Sequence, residues 1–220
     1  MLKMQMIKRI FYSFLLLTLS ACSMDQMVIR ASSPMIEGGV EALNRETDLE
    51  LAEDSIPANL NMLMGMINID PENVELHTFA SQAFYGMSYG FNEDNRPQRA
   101  SDFYLRGLDH GLKALQFSGA GELRDLPFSD FEDRVNKLDK ADVPAIFWTA
   151  SNWAKWIDMH RDDPEAIAQL ARATALMQRV LDLQDTFYYG GAHMYFGVYY
   201  GSRAPMLGGN FDKSKQHFDR

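Results

Sequence analysis

The sequence predicts an all-α protein built of irregular helical-hairpin repeats, an α-solenoid, and three observations carry that expectation. From Asp48 onward apolar residues recur at three- and four-residue spacing, and no segment alternates in the manner of a strand. The tripeptide Asp-Pro-Glu occurs at 70–72 and again at 163–165, each time where a helix would begin. Three segments also superpose on a large residue, a small residue and an aromatic one turn later: Tyr85-Gly86 with Tyr89, Thr149-Ala150 with Trp153, and Phe196-Gly197 with Tyr200. A small residue lets a neighbouring helix approach, and the aromatic fills the space beside it.

The elements follow in order. Lys3, Lys8 and Arg9 precede an apolar run over 10–19 that is too short to span a bilayer comfortably, and Leu19-Ser20-Ala21-Cys22 closes it. This matches a bacterial lipoprotein signal, in which the thiol of Cys22 is lipidated and becomes the mature N-terminus. Ser23 after the cysteine, rather than Asp, favours the inner leaflet of the outer membrane, with the domain in the periplasm. From Ser23 to Asn44, Ser32-Ser33-Pro34 and Gly38-Gly39 interrupt any period, so a tether with one helical turn at Val40–Leu43 is expected. Leu49, Leu51, Ile56, Leu60, Leu63, Met66 and Ile67 then form a helix capped by Thr47 or Asp48, with Pro57 kinking or splitting it. Asp70-Pro71-Glu72 stops this helix and opens the next.

The three superposed segments look like the first helices of tetratricopeptide units. Their second helices are read at Ala100, Tyr104 and Gly107, at Ala173, Met177 and Val180, and at Ser214 and Phe218. Residues 118–140 are an insertion with a short helix over 130–138. The last residues read as half of a helix without a closing glycine, so the array is expected to continue past residue 220. The plan is a signal peptide over 1–21, lipidated Cys22 and tether over 22–46, and a repeat domain over 47–220 that is truncated at its C-terminus.

Charge and composition narrow the function. The formal net charge is −9, and loss of the three cations of the signal takes it to −12, which argues against nucleic acid as a partner. Cys22 is the only cysteine, so neither a disulfide framework nor a thiolate metal site is available. The five histidines show no close pair in sequence, and no zinc spacing, nucleophile elbow, phosphate loop or dinucleotide fingerprint occurs. The acidic pairs Glu93-Asp94 and Asp162-Asp163 read as solvated surface. No enzyme, cofactor or metal is expected.

The candidate site is aromatic and glycine-rich. Trp148, Trp153 and Trp156 fall in one helix, either as packing between repeats or as the wall of a ligand groove with Asn152 as its polar contact. Gly190-Gly191 at a helix start can expose free amides to an anionic group, with His193 one turn inside either bonding that group or satisfying a carbonyl. Gly208-Gly209 after Pro205 forms a second turn-rich element at the same edge.

The lipoprotein signal and the runs 147–157, 176–183, 189–200 and 205–209 resemble the T-component (TatT) family associated with TRAP transporters, over roughly Asp48 to the end. The resemblance implies a periplasmic lipoprotein of tetratricopeptide-like fold. It would partner a periplasmic solute-binding protein in tripartite, ATP-independent uptake of organic acids or other small hydrophobic ligands. It also implies a homotrimer with a pore or cleft, as at least one member forms. On this reading a concave face of Trp148, Asn152, Trp153, Tyr189, His193 and Tyr200 receives an apolar ligand whose anionic end meets the Gly190 and Gly191 amides. The rival is a scaffold or assembly lipoprotein that binds only protein partners.

Overall fold

The computed structural model describes residues 24–220, and the signal peptide, Cys22 and Ser23 lie outside them. Among the described residues there are helices and no strand, so the all-α class holds. The chain divides into two compact units, the first ending at Pro71 and the second spanning Glu72–Arg220. The repeat domain read from residue 47 therefore has its first helix in the first unit.

In the first unit, helix α1 covers residues 24–31, α2 is Ser33–Asn44 and α3 is Leu49–Ile69. The stretch expected to hold a single turn is thus largely helical. Pro34 lies in the first turn of α2, where its missing N–H costs nothing, and Ser32 Oγ donates to Val28 O to close the preceding helix (2.9 Å). Asp48 caps α3 by accepting from the amides of Glu50 and Leu51, both at 3.1 Å. Pro57 does not split α3, which buries Ala52, Ile56, Leu60, Leu63 and Ile67 along one stripe. Leu49 and Leu51, expected on that stripe, are exposed.

The two Asp-Pro-Glu tripeptides behave differently. Asp163 caps α8 (Pro164–Ala168) through the Glu165 amide at 2.9 Å, as expected. Asp70 does not cap the next helix. Its buried carboxylate takes a two-pronged bond from Arg30, at 2.8 and 3.0 Å, and Asn73 caps α4 instead. A guanidinium forty residues away has claimed the side chain that local pattern assigned to the helix start.

The second unit is an array of helical hairpins. Helix α4 (Val74–Met87) runs into a π turn at Ser88–Asn92 and pairs with α5 (Pro97–Leu115). The second hairpin joins α7 (Val143–Met159) to α9 (Leu170–Gln184), and the third joins α10 (Phe187–Gly201) to α11 (Phe211–Phe218). Helix α5 packs on α7, and α7 also meets α4 and α10, which is the stacking of consecutive repeats. The small residues mark the close approaches. A Cβ on Gly107 would lie 2.6 Å from Asn152 Cγ, one on Gly111 2.9 Å from Thr149 Cα, and one on Gly197 2.6 Å from the Phe218 ring. Gly86 is the exception among the expected marks, since nothing approaches its Cβ position.

The insertion carries α6 (Phe128–Val135), close to the short helix expected there. It buries Phe131, Val135 and Leu138, and arginines of α9 tie it down. Arg179 donates to Leu138 O and Arg172 to the carbonyls of Leu123 and Leu126.

Candidate functional site

Where α4, α7 and the start of α10 converge, five aromatic rings form a chain. Tyr85 of α4 stacks on Tyr89 at 5.7 Å and meets Trp148 of α7 at 5.4 Å. Trp148 lies edge-on to Tyr188 of α10 at 4.7 Å, and Tyr188 touches Tyr189 at 5.5 Å. Tyr89, Tyr188 and Tyr189 open to solvent, whereas Trp148 is buried beneath them. The buried Trp148 thus forms an apolar floor beneath three exposed phenol rings.

Polar groups border the floor. Lys155 of α7 pairs with Glu93 at 2.6 Å and lies over the Tyr89 ring at 5.2 Å. Tyr104 donates its hydroxyl to the same Glu93 carboxylate at 3.3 Å. Glu93, expected to be solvated surface, is therefore half-buried and shared between two partners. Burial raises the Tyr85 phenol well above its ordinary range, and the charges of Tyr89, Glu93 and Tyr188 add to the shift. Tyr188 is raised by burial and by Tyr189. The Tyr85 and Tyr188 phenols therefore stay protonated at physiological pH.

Tyr188 reaches Trp148 through an unfavourable backbone. Tyr188, Tyr189 and Gly190 have φ of 46°, 58° and 72°, a left-handed turn before α10 continues. Each non-glycine residue there costs roughly 1–2 kcal/mol. In this turn the Gly190 amide is directed at Thr186 O, at 3.4 Å, so Gly190 does not present the free amide expected of it. Gly191 is held by packing, since a Cβ there would lie 2.5 Å from the Phe147 ring.

The expected site residues separate into groups. Trp148 and Tyr189 belong to the aromatic chain, with Gly190 and Gly191 forming its turn. Trp153 is 1% exposed, lies edge-on to Phe131 at 6.2 Å and donates its indole N–H to Gln169. It is core on another side of α7 and forms no accessible wall. Trp153→Phe is expected to lower stability by about 1–2 kcal/mol, from the lost indole bond and volume. Denaturant unfolding checks this, and a variant as stable as the parent would show that the Gln169 bond is idle.

Asn152 is fully buried and acts as a clamp. Its Nδ2 donates to Ser81 O at 3.0 Å, Ser81 Oγ at 3.1 Å and Trp148 O at 2.9 Å. Its Oδ1 has no hydrogen-bond partner and faces Gly107. That side chain ties α7 to α4, packs against Gly107 of α5 and is not open to a ligand. Gly208, left-handed at φ 87°, and Gly209 shape their own loop, where a Cβ on Gly209 would lie 2.6 Å from the Arg203 carbonyl carbon.

His193 and Tyr200 gather instead around His217. His193 Nδ1 lies 3.0 Å from His217 Nδ1, and the rings of Tyr200 and Phe196 stack on His217 at 5.8 and 5.4 Å. His77 Nδ1 and His110 Nδ1 meet in the same way at 2.9 Å. The histidines that lack a close pair in sequence thus form two close pairs in space. At these distances one nitrogen of each pair donates and the other accepts, since two N–H groups would collide. Among the described residues, no group of three His, Cys, Asp or Glu side chains is placed to hold a metal ion.

Tyr85, Tyr89, Tyr188, Lys155 and Glu93 were not singled out as site residues by sequence reasoning. Tyr85 and Tyr89 were visible only as repeat marks, and the Phe187-Tyr188-Tyr189 run was the one signal that could have drawn in Tyr188.

Fold and site together define an all-α helical-hairpin repeat protein with a chain of aromatic rings, partly open to solvent, where α4, α7 and α10 meet. Residues 45–220 match the model of the TRAP transporter T-component family, TAtT, and the chain belongs to that family. It is accordingly a transport accessory component, from a family not known for enzymes. No curated protein matches the chain significantly. Among the described residues no helix is long and apolar enough to cross a membrane.

Proposed function

We propose that this protein is a periplasmic lipoprotein, anchored by lipidated Cys22 in the inner leaflet of the outer membrane. There it would hold a small organic acid or hydrophobic ligand for a TRAP-type uptake system and pass it to or from a solute-binding protein. The observation that carries the ligand reading is the left-handed Tyr188-Tyr189 turn, which presses Tyr188 onto Trp148 at an energetic cost. Strain of this kind persists where a site depends on it. The apolar part of the ligand would lie on the exposed Tyr188 ring, which the buried Trp148 supports from beneath, and the phenols of Tyr89 and Tyr189 would meet its polar end. Lys155 is the nearby cation, held at present by Glu93. Trimerisation, implied by the family resemblance, would bring three such recesses together.

The test is calorimetric titration with a series of straight-chain monocarboxylic acids, comparing the parent with Tyr188→Ala. Loss of one face of the recess is expected to weaken binding about tenfold or more, the weight of a buried aromatic contact. Unchanged affinity in a folded Tyr188→Ala protein would place the ligand elsewhere.

The scaffold reading has one observation in its favour. Met194, Val198, Phe211 and Phe218 are all at least half exposed on the α10–α11 hairpin. Apolar exposure of this kind suits a protein partner. If no acid binds but a purified solute-binding protein does, and Val198→Glu abolishes that binding, the protein is a docking module and not a ligand carrier.

A further inference from the structure

Helices α1 and α2 have a face that the fold leaves uncovered. Met27, Val28, Ala31 and Met35 lie three, four, seven and eleven residues after Met24, the offsets of a single helix face. Met24, Met27, Val28 and Met35 are 65%, 68%, 62% and 80% exposed. The stripe is continuous because only Ser32 separates the two helices. Gly38, Gly39 and Ala42 prolong it, and no other described residue approaches the Cβ positions of the two glycines.

The orientation of this face is fixed by what the other side does. Ile29 is buried, Arg30 holds Asp70 at 2.8 Å, and Gln26 donates to Ile69 O at 3.3 Å, so α1 is tied to the end of α3 within the same unit. The outward side of a helix docked in this way is ordinarily polar. Here it is apolar, and the charged residues Asp25, Glu37 and Glu41 lie off the stripe.

We infer that this stripe rests on the membrane, inserting its methionines and Val28 among the acyl chains of a zwitterionic phospholipid surface. The inference rests on the proposed lipidation of Cys22. The stripe begins two residues after that cysteine, and two residues reach at most about 7 Å. A lipid chain on Cys22 therefore brings Met24 to the bilayer surface whatever path the chain takes. Lipid and stripe are two signals in one segment, the combination that makes peripheral anchoring stable. The acidic side residues exclude an anionic surface as the preferred partner. The helix would hold the protein against the membrane in one orientation, in place of a loose tether.

The test uses the mature lipoprotein in vesicles of phosphatidylcholine and phosphatidylethanolamine. Since Cys22 is the only cysteine, acylation leaves a cysteine placed at Val28 or Glu37 as the sole free thiol for a nitroxide. At Val28→Cys the label is expected to collide with oxygen more than with a water-soluble nickel chelate, and at Glu37→Cys the reverse. Equal nickel accessibility at the two positions overturns the inference while leaving the anchor intact. Shielding at Val28→Cys from both reagents, lost on dilution of protein in the bilayer, also overturns it, because a second copy then covers the stripe. A mass spectrum showing unacylated Cys22 removes the anchor itself, and the inference falls with it.

Discussion

Gly111→Ala is expected to destabilise the Glu72–Arg220 unit by about 3 kcal/mol, among the largest effects of any single methyl group in this fold. The new Cβ would lie 2.9 Å from Thr149 Cα, a backbone atom that cannot rotate away. Thr149 is fully buried, and its hydroxyl is already given to Ala145 O at 2.6 Å. Relief requires α5 and α7 to separate, and these helices join the first hairpin to the second. Separation would loosen Leu108, Leu112, Ile146 and Ala150 in the shared core. The matched control is Gly86→Ala in α4, where the Cβ meets nothing. There the gain in helix propensity should stabilise by about 0.5–1 kcal/mol. Urea unfolding of the two variants should therefore move in opposite directions from the parent. If Gly111→Ala unfolds at the parent's midpoint, the close α5–α7 contact is not the packing that holds these repeats together.

Lowering the pH from 7.5 to 5.0 should cost about 2 kcal/mol of stability through His110 alone. Burial, then the neighbouring His77, Lys113 and Arg106, push the His110 imidazole from 6.5 down to about 3. The unfolded chain takes up a proton as the pH falls below 6.5, while the folded chain refuses it until about pH 3. Stability is therefore complete above 6.5 and is lost progressively between those limits, reaching roughly 4–5 kcal/mol at the acid end. Burial of His110 is the main structural cause, and the His77 contact adds to it, because a proton on both rings would set two cations 2.9 Å apart. His217 is lowered by burial and by His193, so the α10–α11 hairpin should loosen in the same direction. His110→Phe keeps the ring stacked on Phe84, at 5.7 Å in the parent, and removes the titration. This variant should be less stable at pH 7.5 but show a flatter loss towards pH 5.0. An acid limb as steep as the parent's would assign the pH dependence to other groups.

Much of the architecture was legible because its causes are local. The three-and-four spacing of Ile56, Leu60, Leu63 and Ile67 is a property of one helix and needs no partner to be read. So is the cap at Asp48 or at Asp163, where a carboxylate meets amides two or three residues on. Ala100, Tyr104 and Gly107, and Thr149, Ala150 and Trp153, announced the hairpins because close helix packing restricts residue size wherever it occurs. The aromatic and glycine clustering around 147–153 and 187–191 pointed to the right region of the molecule.

What the side chains in that region do was decided elsewhere. Asn152 became a clamp because Ser81, seventy-one residues earlier, lies beside it, and Trp153 became core because Gln169 and Phe131 cover it. Asp70 left its helix cap for Arg30, and the four paired histidines found partners thirty-three and twenty-four residues away. The left-handed Tyr188-Tyr189 turn runs against local preference, and the rings of Phe147 and Trp148 against which Tyr188 packs lie some forty residues earlier in the chain. The sequence by itself thus determined the all-α class, the hairpin repeats and the family, all of which follow from spacing and residue size along the chain. Only the tertiary structure decided which polar groups are clamps, which rings are exposed and which histidines touch, because burial and hydrogen bonding are properties of neighbours that spacing along one helix does not specify.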